Sequence, residues 1–339
     1  MIRSHPAPYK KFKIFSGFLL AGRPVWCTWQ VTYRCNFHCT FCDYWKCKVK
    51  PSEEVSLRDI EVGCRNLSKI SSLMISIGGG EPFMRPDLPQ IIEIMARYHM
   101  PLLTTNGWFV TREFARNAFK AGLWGASISI DYADEERHDR ARGVEGAYRR
   151  ALQALRYLSE ERCGKFQRVN VMGVLMKDNI GEIEPLIRLA GRYGAYFMVQ
   201  PFCNMKGGKR DFVPDLKVGE YLLKLRGKYK NFISNPYFLE RFDSAFDGGV
   251  PNCKAGRGFF NIDNFGRVSK CVEDLEHPVG NIINDPPRQI LKRLNRAWRE
   301  NTCQECWYNC RGEIESLYEP RGFLKAMPVV LSTWARTRK

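Results

Sequence analysis

The sequence predicts an α/β fold built on parallel strands, followed by a smaller cysteine-rich domain. In the first 235 residues, short β-branched apolar runs alternate with longer segments of helical period, which is the pattern of repeated strand–helix units. Beyond about residue 235 the sequence becomes rich in Gly, Asn, Asp and Cys, and its elements become short. A length of 339 residues suits two such units, because domains usually run ~100–200 residues.

Six strand–helix units are predicted in the first part. The strands are expected at residues 26–33, 73–77, 102–105, 126–130, 169–175 and 195–200. Helices are expected at residues 57–67 after the capping residue Ser56, at residues 88–98 after Pro86 and Asp87, and at residues 147–158. Parallel strands in a barrel place their carboxyl ends on one rim, and loops that carry chemistry lie there.

A β-hairpin is predicted in the cysteine-rich part. Phe259 and Ile262 precede the turn at residues 263–266, and Val268 follows it. We expect a second domain at residues 240–318, because short elements and five cysteines suit a fold that a metal centre helps to stabilise.

Composition and charge restrict the class of protein. An apolar fraction of 44% is that of a packed globular protein and excludes wholesale disorder. No run approaches the ~18 apolar residues of a membrane-spanning helix, and residues 1–9 lack the apolar stretch of a secretory signal, so we expect a cytoplasmic protein. The net charge of +17 favours an anionic partner, such as nucleic acid, a phosphorylated substrate or an acidic membrane surface.

Both ends of the chain are basic and partly apolar. In the segment 1–24, lysines interleave with Phe12, Phe15 and Leu19, which share one helical face, and the tail 319–339 mixes apolar residues with Arg and Lys. Such segments suit peripheral contact with the inner face of an anionic membrane, with the apolar side buried. The alternative is an ordinary helix packed on the barrel.

Three cysteines directly follow the first predicted strand. Cys35, Cys39 and Cys42 are spaced Cys-x3-Cys-x2-Cys, and three thiolates in so short a loop can bind three irons of a [4Fe-4S] cluster and leave the fourth iron open. Phe41 offers a ring beside them. Zinc is the alternative, because His38 in the same loop can supply a fourth ligand. Thirteen cysteines in a chain without an export signal favour metal binding over disulfides.

A glycine-rich turn ends the second predicted strand. Gly79 and Gly80 let a ligand approach the backbone, and Glu81 can bind a positive amino group there. Because this turn and the cysteine loop fall on the same rim, an amino-acid-like cofactor at the open iron is the economical interpretation.

Together these residues resemble the radical S-adenosylmethionine (SAM) superfamily. Its Cys-x3-Cys-x-aromatic-Cys pattern is matched by Cys35, Cys39, Phe41 and Cys42, and its Gly-Gly-Glu motif by residues 79–81. The resemblance continues at residues 104–107, 127–131, 138–139 and 142–143. It implies a partial (βα)6 TIM-like barrel over residues 25–235, in agreement with the six units, and a [4Fe-4S] cluster whose open iron binds SAM.

The resemblance also implies an activity and a set of SAM contacts. Glu81, with the backbone of Gly79 and Gly80, would hold the SAM amino group, and the other candidates for SAM contact are Asn106, Ser129 and Arg142. One-electron reduction, by a donor such as flavodoxin or ferredoxin, would cleave SAM to a 5′-deoxyadenosyl radical that takes a hydrogen atom from an unactivated C–H bond.

Five further cysteines lie in the C-terminal part. Cys253 and Cys271 flank the predicted hairpin as Cys-x12-Gly-x4-Cys, and Cys303, Cys306 and Cys310 follow as Cys-x2-Cys-x3-Cys. By chemistry alone this set suits zinc or an iron–sulfur cluster. The pattern is similar to the auxiliary domain called SPASM, or its shortened form, twitch, which implies one auxiliary [4Fe-4S] cluster. By analogy with twitch proteins, Cys253, Cys271, Cys303 and Cys306 are its ligands, with Cys310 an alternative fourth ligand.

The sequence therefore predicts a radical SAM oxidoreductase or bond-forming enzyme whose substrate is a small molecule, a lipid or a peptide. The amphipathic ends favour a hydrophobic or membrane-associated substrate, and peptide maturation is the alternative. A zinc-containing nucleic-acid-binding protein is the alternative of another class, but it leaves the Gly-Gly-Glu turn unexplained. Among the isolated cysteines, Cys27, Cys64 and Cys163 are expected to be small buried apolar residues, and Cys203 is expected on the rim without a catalytic role.

Overall fold

The computed structural model describes residues 7–164, 167–206 and 210–336. The strands are β1 (Trp26–Thr32), β2 (Met74–Gly79), β3 (Met100–Thr105), β4 (Gly125–Ser129), β5 (Arg168–Leu175), β6 (Tyr196–Pro201), β7 (Phe259–Ile262), β8 (Arg267–Ser269) and β9 (Gly280–Asn281). The helices are α1 (Ala7–Ala21), α2 (Leu57–Ile70), α3 (Leu88–Tyr98), α4 (Arg112–Ala121), α5 (Glu135–Arg142), α6 (Ala147–Glu160), α7 (Ile183–Arg192), α8 (Gly219–Lys228), α9 (Pro236–Leu239), α10 (Phe242–Phe246), α11 (Pro287–Arg299), α12 (Asn309–Tyr318) and α13 (Pro320–Arg336).

The six predicted strands are confirmed, each with ends within two residues of the expected ones. Helices α2, α3 and α6 begin at the predicted residues. The start of α2 shows why: the Ser56 hydroxyl accepts a hydrogen bond of 3.2 Å from the Asp59 amide, while the Asp59 carboxylate accepts one from Ser56. Its inner face then buries Ile60, Cys64 and Leu67 against the sheet.

The strands form one sheet in the order β6-β5-β4-β3-β2-β1-β7-β8-β9. Neighbours from β6 through β7 are parallel, and this run of strands with its covering helices is a partial TIM barrel. The predicted hairpin is confirmed, because β7 and β8 pair antiparallel with Ile262 opposite Val268. Since β7 pairs with β1, the C-terminal region continues the barrel sheet; the domain limits 240 and 318 stay predictions.

The isolated cysteines behave in two ways. Cys27 on β1 and Cys64 on α2 are buried in the barrel core as expected. The expectation for Cys163 was wrong, because this residue is exposed in the loop that follows α6 rather than on a core face.

Helix α1 lies across the end of the barrel where the strands begin. The Nζ atom of Lys13 donates to the carbonyl of Ser68 at 3.1 Å, and that of Lys10 donates to the carbonyl of Ala96, so two lysines cap the last turns of α2 and α3. The helix is thus packed on the barrel, as the alternative interpretation of this segment held. Lysines 10 and 13 point inward, which the sequence pattern did not predict.

The chain's tail forms α13. Its Leu324 side chain is largely exposed. The side chains of Leu19 and of residues 329–339, which belong to the two predicted amphipathic segments, lie outside the described part. Across the described ranges, no helix combines the length and apolar character needed to cross a bilayer.

Candidate active site

A cleft opens at the carboxyl ends of β1 to β6. Its wall contains every residue that the sequence predicted for the first cluster and for SAM: Cys35, Cys39, Phe41, Cys42, Gly79, Gly80, Glu81, Asn106, Ser129 and Arg142. These residues come from the ends of four strands and from α5, and the parallel register of the strands brings them to one rim.

The cysteine loop presents its three thiols to this cleft. Cys39 is buried and Cys35 and Cys42 are half-buried, and the Phe37 amide donates to the Cys35 sulfur at 3.4 Å. Burial raises the pKa of the Cys35 and Cys39 thiols, so both stay protonated at neutral pH unless a metal replaces the proton. His38 does not join them: its exposed ring packs edge-on against Trp45, with 5.0 Å between centroids.

The two glycines of the Gly-Gly-Glu turn have a packing role that the sequence did not predict. Gly79 has φ of +117°, and a Cβ atom there would lie 2.1 Å from the Thr32 carbonyl oxygen. A Cβ atom on Gly80 would lie 2.2 Å from the Arg34 carbonyl oxygen. Glycine is therefore required because the end of β2 lies against the chain that enters the cysteine loop, and not only because a ligand approaches.

Glu81 is a buried carboxylate held in a fixed orientation. Its Oε1 atom accepts a hydrogen bond of 2.8 Å from the Thr105 hydroxyl, and its Oε2 atom accepts one of 2.8 Å from the Asn106 amide. Burial raises the pKa of Glu81 to about 7, although these hydrogen bonds oppose the shift. The side chain of Asn106 donates to Asn36 in the cysteine loop at 2.9 Å, so it connects the third strand to that loop.

Arg142 is the buried cation of the cleft. It lies 2.6 Å from the Asp131 carboxylate, 3.9 Å from the Cys39 sulfur and 5.2 Å from the centre of the Phe41 ring. Burial alone would lower the pKa of Arg142, but Asp131 and Cys39 raise it overall. Its Nε atom is buried and has no hydrogen-bond partner among the described residues. An unsatisfied guanidinium N–H in this wall fits the carboxylate of an amino-acid-like cofactor.

The remaining wall is uncharged. It is formed by Tyr44, Trp45, Val174, Gln200, Pro201, Phe202, Cys203 and Tyr308, among others. Among the described residues of the whole wall, only Glu81 and Arg142 are charged side chains. Cys203 lies on this rim as expected.

The second cysteine set also comes together in space. Cys253 and Cys271, at the two ends of the hairpin, pack in one apolar cluster. The thiol of Cys306 interacts electrostatically with those of Cys253, Cys271 and Cys310. The thiol of Cys253 also interacts with that of Cys303. Burial raises the pKa of Cys253, Cys271 and Cys306. Five cysteines from three separate segments thus lie in one region, although among the described residues no three His, Cys, Asp or Glu side chains are gathered closely enough to hold a metal ion as they stand.

Sequence reasoning missed the buried ion pair that positions this set. Arg311 is fully buried and donates to the Cys306 carbonyl at 2.6 Å and to the Glu315 carboxylate at 3.0 Å. Glu315 in turn accepts a hydrogen bond of 2.7 Å from the Lys254 amide, beside Cys253. The signal available in the sequence was the i,i+4 spacing of opposite charges directly after Cys310.

Tyr308 connects the two sites. Its side chain is in the wall of the cleft, and it packs with Cys203 and Cys306 in a small buried cluster. Its hydroxyl donates to the Glu273 carboxylate at 2.7 Å. The cleft therefore reaches from the first cysteine loop to the neighbourhood of the second cysteine set.

The fold and these sites define an α/β-barrel protein with a cysteine loop and a buried acid and cation at one rim. The sequence model of the Radical SAM superfamily matches residues 29–190. The mycofactocin maturase MftC of Mycobacterium tuberculosis is 27% identical over 312 residues, which cover 85% of this chain and 78% of that protein. The AdoMet-dependent heme synthase of Methanosarcina barkeri is 26% identical over 299 residues, covering 80% and 83%. The crystal structure of Streptococcus suis SuiB bound to precursor peptide SuiA superposes with a TM-score of 0.63 at 16% identity, covering 86% and 68%.

Residues 29–190 form a radical SAM domain, and the cysteine-rich C-terminal part is consistent with an extension of the SPASM or twitch type. The protein is an enzyme, and its cofactors are a [4Fe-4S] cluster, SAM and an auxiliary [4Fe-4S] cluster. The zinc-protein alternative is therefore set aside.

Proposed function

We propose that this enzyme abstracts a hydrogen atom from an uncharged, apolar part of its substrate, and that the auxiliary cluster takes up an electron from the resulting radical. The observation that carries this proposal is the composition of the cleft wall. Glu81 and Arg142, the two charged residues among the described residues of the wall, are both assigned to SAM. The rest of the wall is uncharged and combines aromatic and aliphatic side chains with a few amide and hydroxyl groups, such as that of Gln200. A charged substrate group would be desolvated there without a partner.

Each cofactor has a set of candidate residues. Cys35, Cys39 and Cys42 would hold the [4Fe-4S] cluster that binds SAM. Cys253, Cys271, Cys303 and Cys306 would hold the auxiliary cluster, with Cys310 as the alternative to Cys306. With its cluster reduced, the SAM site would supply a 5′-deoxyadenosyl radical, and the auxiliary cluster in its oxidised state would supply an electron acceptor.

The side chains of the cleft bind and orient SAM. The Glu81 carboxylate, fixed by Thr105 and the Asn106 amide, would accept hydrogen bonds from the SAM amino group. The free Nε–H of Arg142 would pair with the SAM carboxylate, while Asp131 holds the guanidinium in place. Ser129 lies on the same rim and would contact the ribose or the carboxylate. A low-potential donor such as flavodoxin or ferredoxin would supply the electron.

The first experiment tests the cofactors and SAM. After anaerobic purification and reconstitution, about eight irons with matching sulfide per chain support two [4Fe-4S] clusters, whereas zinc without sulfide would refute them. With dithionite the enzyme should convert SAM to 5′-deoxyadenosine. Glu81→Gln should weaken SAM binding about tenfold or more, because a charge-assisted hydrogen bond is lost, with iron content unchanged.

The second experiment tests the substrate class. Deuterated cell material is separated into an organic-soluble fraction and a peptide fraction, and 5′-deoxyadenosine is analysed for deuterium by mass spectrometry. Deuterium from the organic-soluble fraction supports a hydrophobic substrate. Phe202→Asp, which places a charge in the apolar wall, should abolish that transfer while SAM still binds.

Peptide maturation is the second candidate. The observation that favours it is the likeness to MftC, a protein named as a maturase, over 85% of this chain. Deuterium transfer from the peptide fraction alone would establish this alternative, with an apolar side chain of the peptide as the reacting group.

A further inference from the structure

We propose that the exposed aromatic face of α1, formed by Tyr9, Phe12 and Phe15, docks on an anionic phospholipid membrane. These three side chains are exposed by 44%, 66% and 55%. They succeed one another at intervals of three residues along one helix, so they project from neighbouring turns. Three adjacent exposed aromatic rings are unusual on a surface that faces only water.

The helix is fixed to the barrel by its other side. Ile14 and Phe18 pack against the apolar cluster that contains Val25 and Phe259, and the Phe18 ring meets the Tyr318 ring with 4.8 Å between centroids. With Lys10 and Lys13 capping two barrel helices, the aromatic face is held outward by a rigid support. The aromatic side chains therefore do not have to be ordered at the moment of binding, which lowers the entropic cost of docking.

The surroundings of this face supply the positive charge that an anionic membrane requires. Each barrel helix runs back from the end of one strand to the start of the next, so its last turn lies at the same end of the barrel as α1. The last turns of α2, α4 and α7 carry the exposed cations Lys69, Lys120 and Arg192. Such cations also complement the helix dipoles, but in combination with exposed aromatic rings they match a lipid surface with anionic headgroups.

This placement has a consequence for the orientation of the enzyme. The cleft lies at the carboxyl ends of the strands, and α1 lies at their amino ends, so the docking face and the cleft are at opposite ends of the barrel. A seven-residue strand such as β1 separates them by roughly 20 Å. Docking through α1 would thus hold the enzyme at the membrane with its cleft turned away from the lipid surface. The inference concerns location and goes beyond the proposed reaction.

Flotation of the full chain with vesicles tests the proposal. We expect the protein to float with phosphatidylcholine vesicles that contain phosphatidylglycerol and to remain at the bottom with phosphatidylcholine alone. The double variant Phe12→Ser/Phe15→Ser should lose at least about tenfold in vesicle affinity, because two aromatic anchors are removed. Lys69→Gln/Lys120→Gln should weaken binding and make it less dependent on ionic strength.

Phe109→Ser is the matched control. Phe109 is 43% exposed, but it follows β3 on the rim that carries the cleft, so its removal should leave flotation unchanged. The proposal would be overturned if Phe109→Ser lost as much vesicle affinity as Phe12→Ser/Phe15→Ser, or if the unaltered protein did not float. A dimer in solution that the Phe12→Ser/Phe15→Ser change dissociates would also overturn it, because the face would then be an interface between two copies. SAM cleavage should be the same in all these variants, so the result is independent of the proposed reaction.

Discussion

Arg142 and Asp131 form a buried ion pair with 2.6 Å between the guanidinium and the carboxylate, beside the cysteine loop. Asp131 lies two residues beyond the end of β4 and Arg142 ends α5, so the pair connects the barrel wall to the loop that carries Cys39. Asp131 also accepts a hydrogen bond of 2.8 Å from the Val174 amide. The pair is the means by which the barrel places a cation in the cleft.

We expect Asp131→Asn to be costly, because it leaves the buried Arg142 cation without its partner. Loss of one member of a buried pair typically lowers the free energy of unfolding by about 3 kcal/mol or more. Thermal unfolding and equilibrium dialysis with SAM measure the effect. We expect a lower unfolding temperature and a lower affinity for SAM. Glu136→Gln is the control, because its ion pair with Arg140 is exposed and its loss should change stability by less than about 1 kcal/mol.

Gly80→Ala should prevent the cysteine loop from closing on β2. The added Cβ atom would lie 2.2 Å from the Arg34 carbonyl oxygen, a distance that only backbone movement can relieve. We expect loss of about four irons per chain after reconstitution, which an iron assay shows. Gly78→Ala has open space around its new Cβ atom and should keep its iron. Full iron content in Gly80→Ala would show that the turn tolerates a side chain.

Cys306→Ala should reduce iron from about eight to about four per chain, whereas Cys310→Ala should leave it near eight. The reason is burial and position: Cys306 is buried and interacts electrostatically with Cys253 and Cys271, while Cys310 is only half-buried. The opposite pattern in an iron and sulfide assay would make Cys310 the fourth ligand of the auxiliary cluster.

We expect the free energy of unfolding to decrease as pH rises from about 4.5 to about 7, because of the buried carboxyl group of Glu313. Burial raises the pKa of Glu313 to about 7, although hydrogen bonds from Asn235 oppose the shift. In this window the folded chain keeps a proton that the unfolded chain has released, so rising pH favours unfolding.

Glu313→Gln removes this titration. Relative to the unaltered protein, the variant should gain about 1–3 kcal/mol at pH 8 and little at pH 4.5, as thermal unfolding at the two pH values would show. The exposed Glu276→Gln is the control and should shift neither curve. An equal gain at both pH values would mean that the effect is not the proton on Glu313.

The sequence predicted which residues belong to the site, but it did not predict how they are arranged in space. Local signals were enough for the strands and for the starts of α2, α3 and α6, since apolar period and capping are short-range. Cys35, Cys39, Cys42 and the Gly79–Glu81 turn were found from their spacing, their places after predicted strands and their resemblance to a family motif. The structural reason for the glycines was missed, because it depends on the distance between β2 and the chain at Thr32 and Arg34, which spacing does not contain.

By itself, then, the sequence determined the barrel units and the two cysteine sets, because periodicity, capping and ligand spacing each involve only a few neighbouring residues. The class of chemistry followed from the resemblance of these motifs to the radical SAM superfamily. Only the tertiary structure decided which side chains of these elements contact one another. It turned Lys10 and Lys13 inward, paired Asp131 with Arg142, and placed Tyr308 in the wall of the cleft. Such contacts join segments far apart in the chain, and they are fixed by how helices and strands pack rather than by any local pattern.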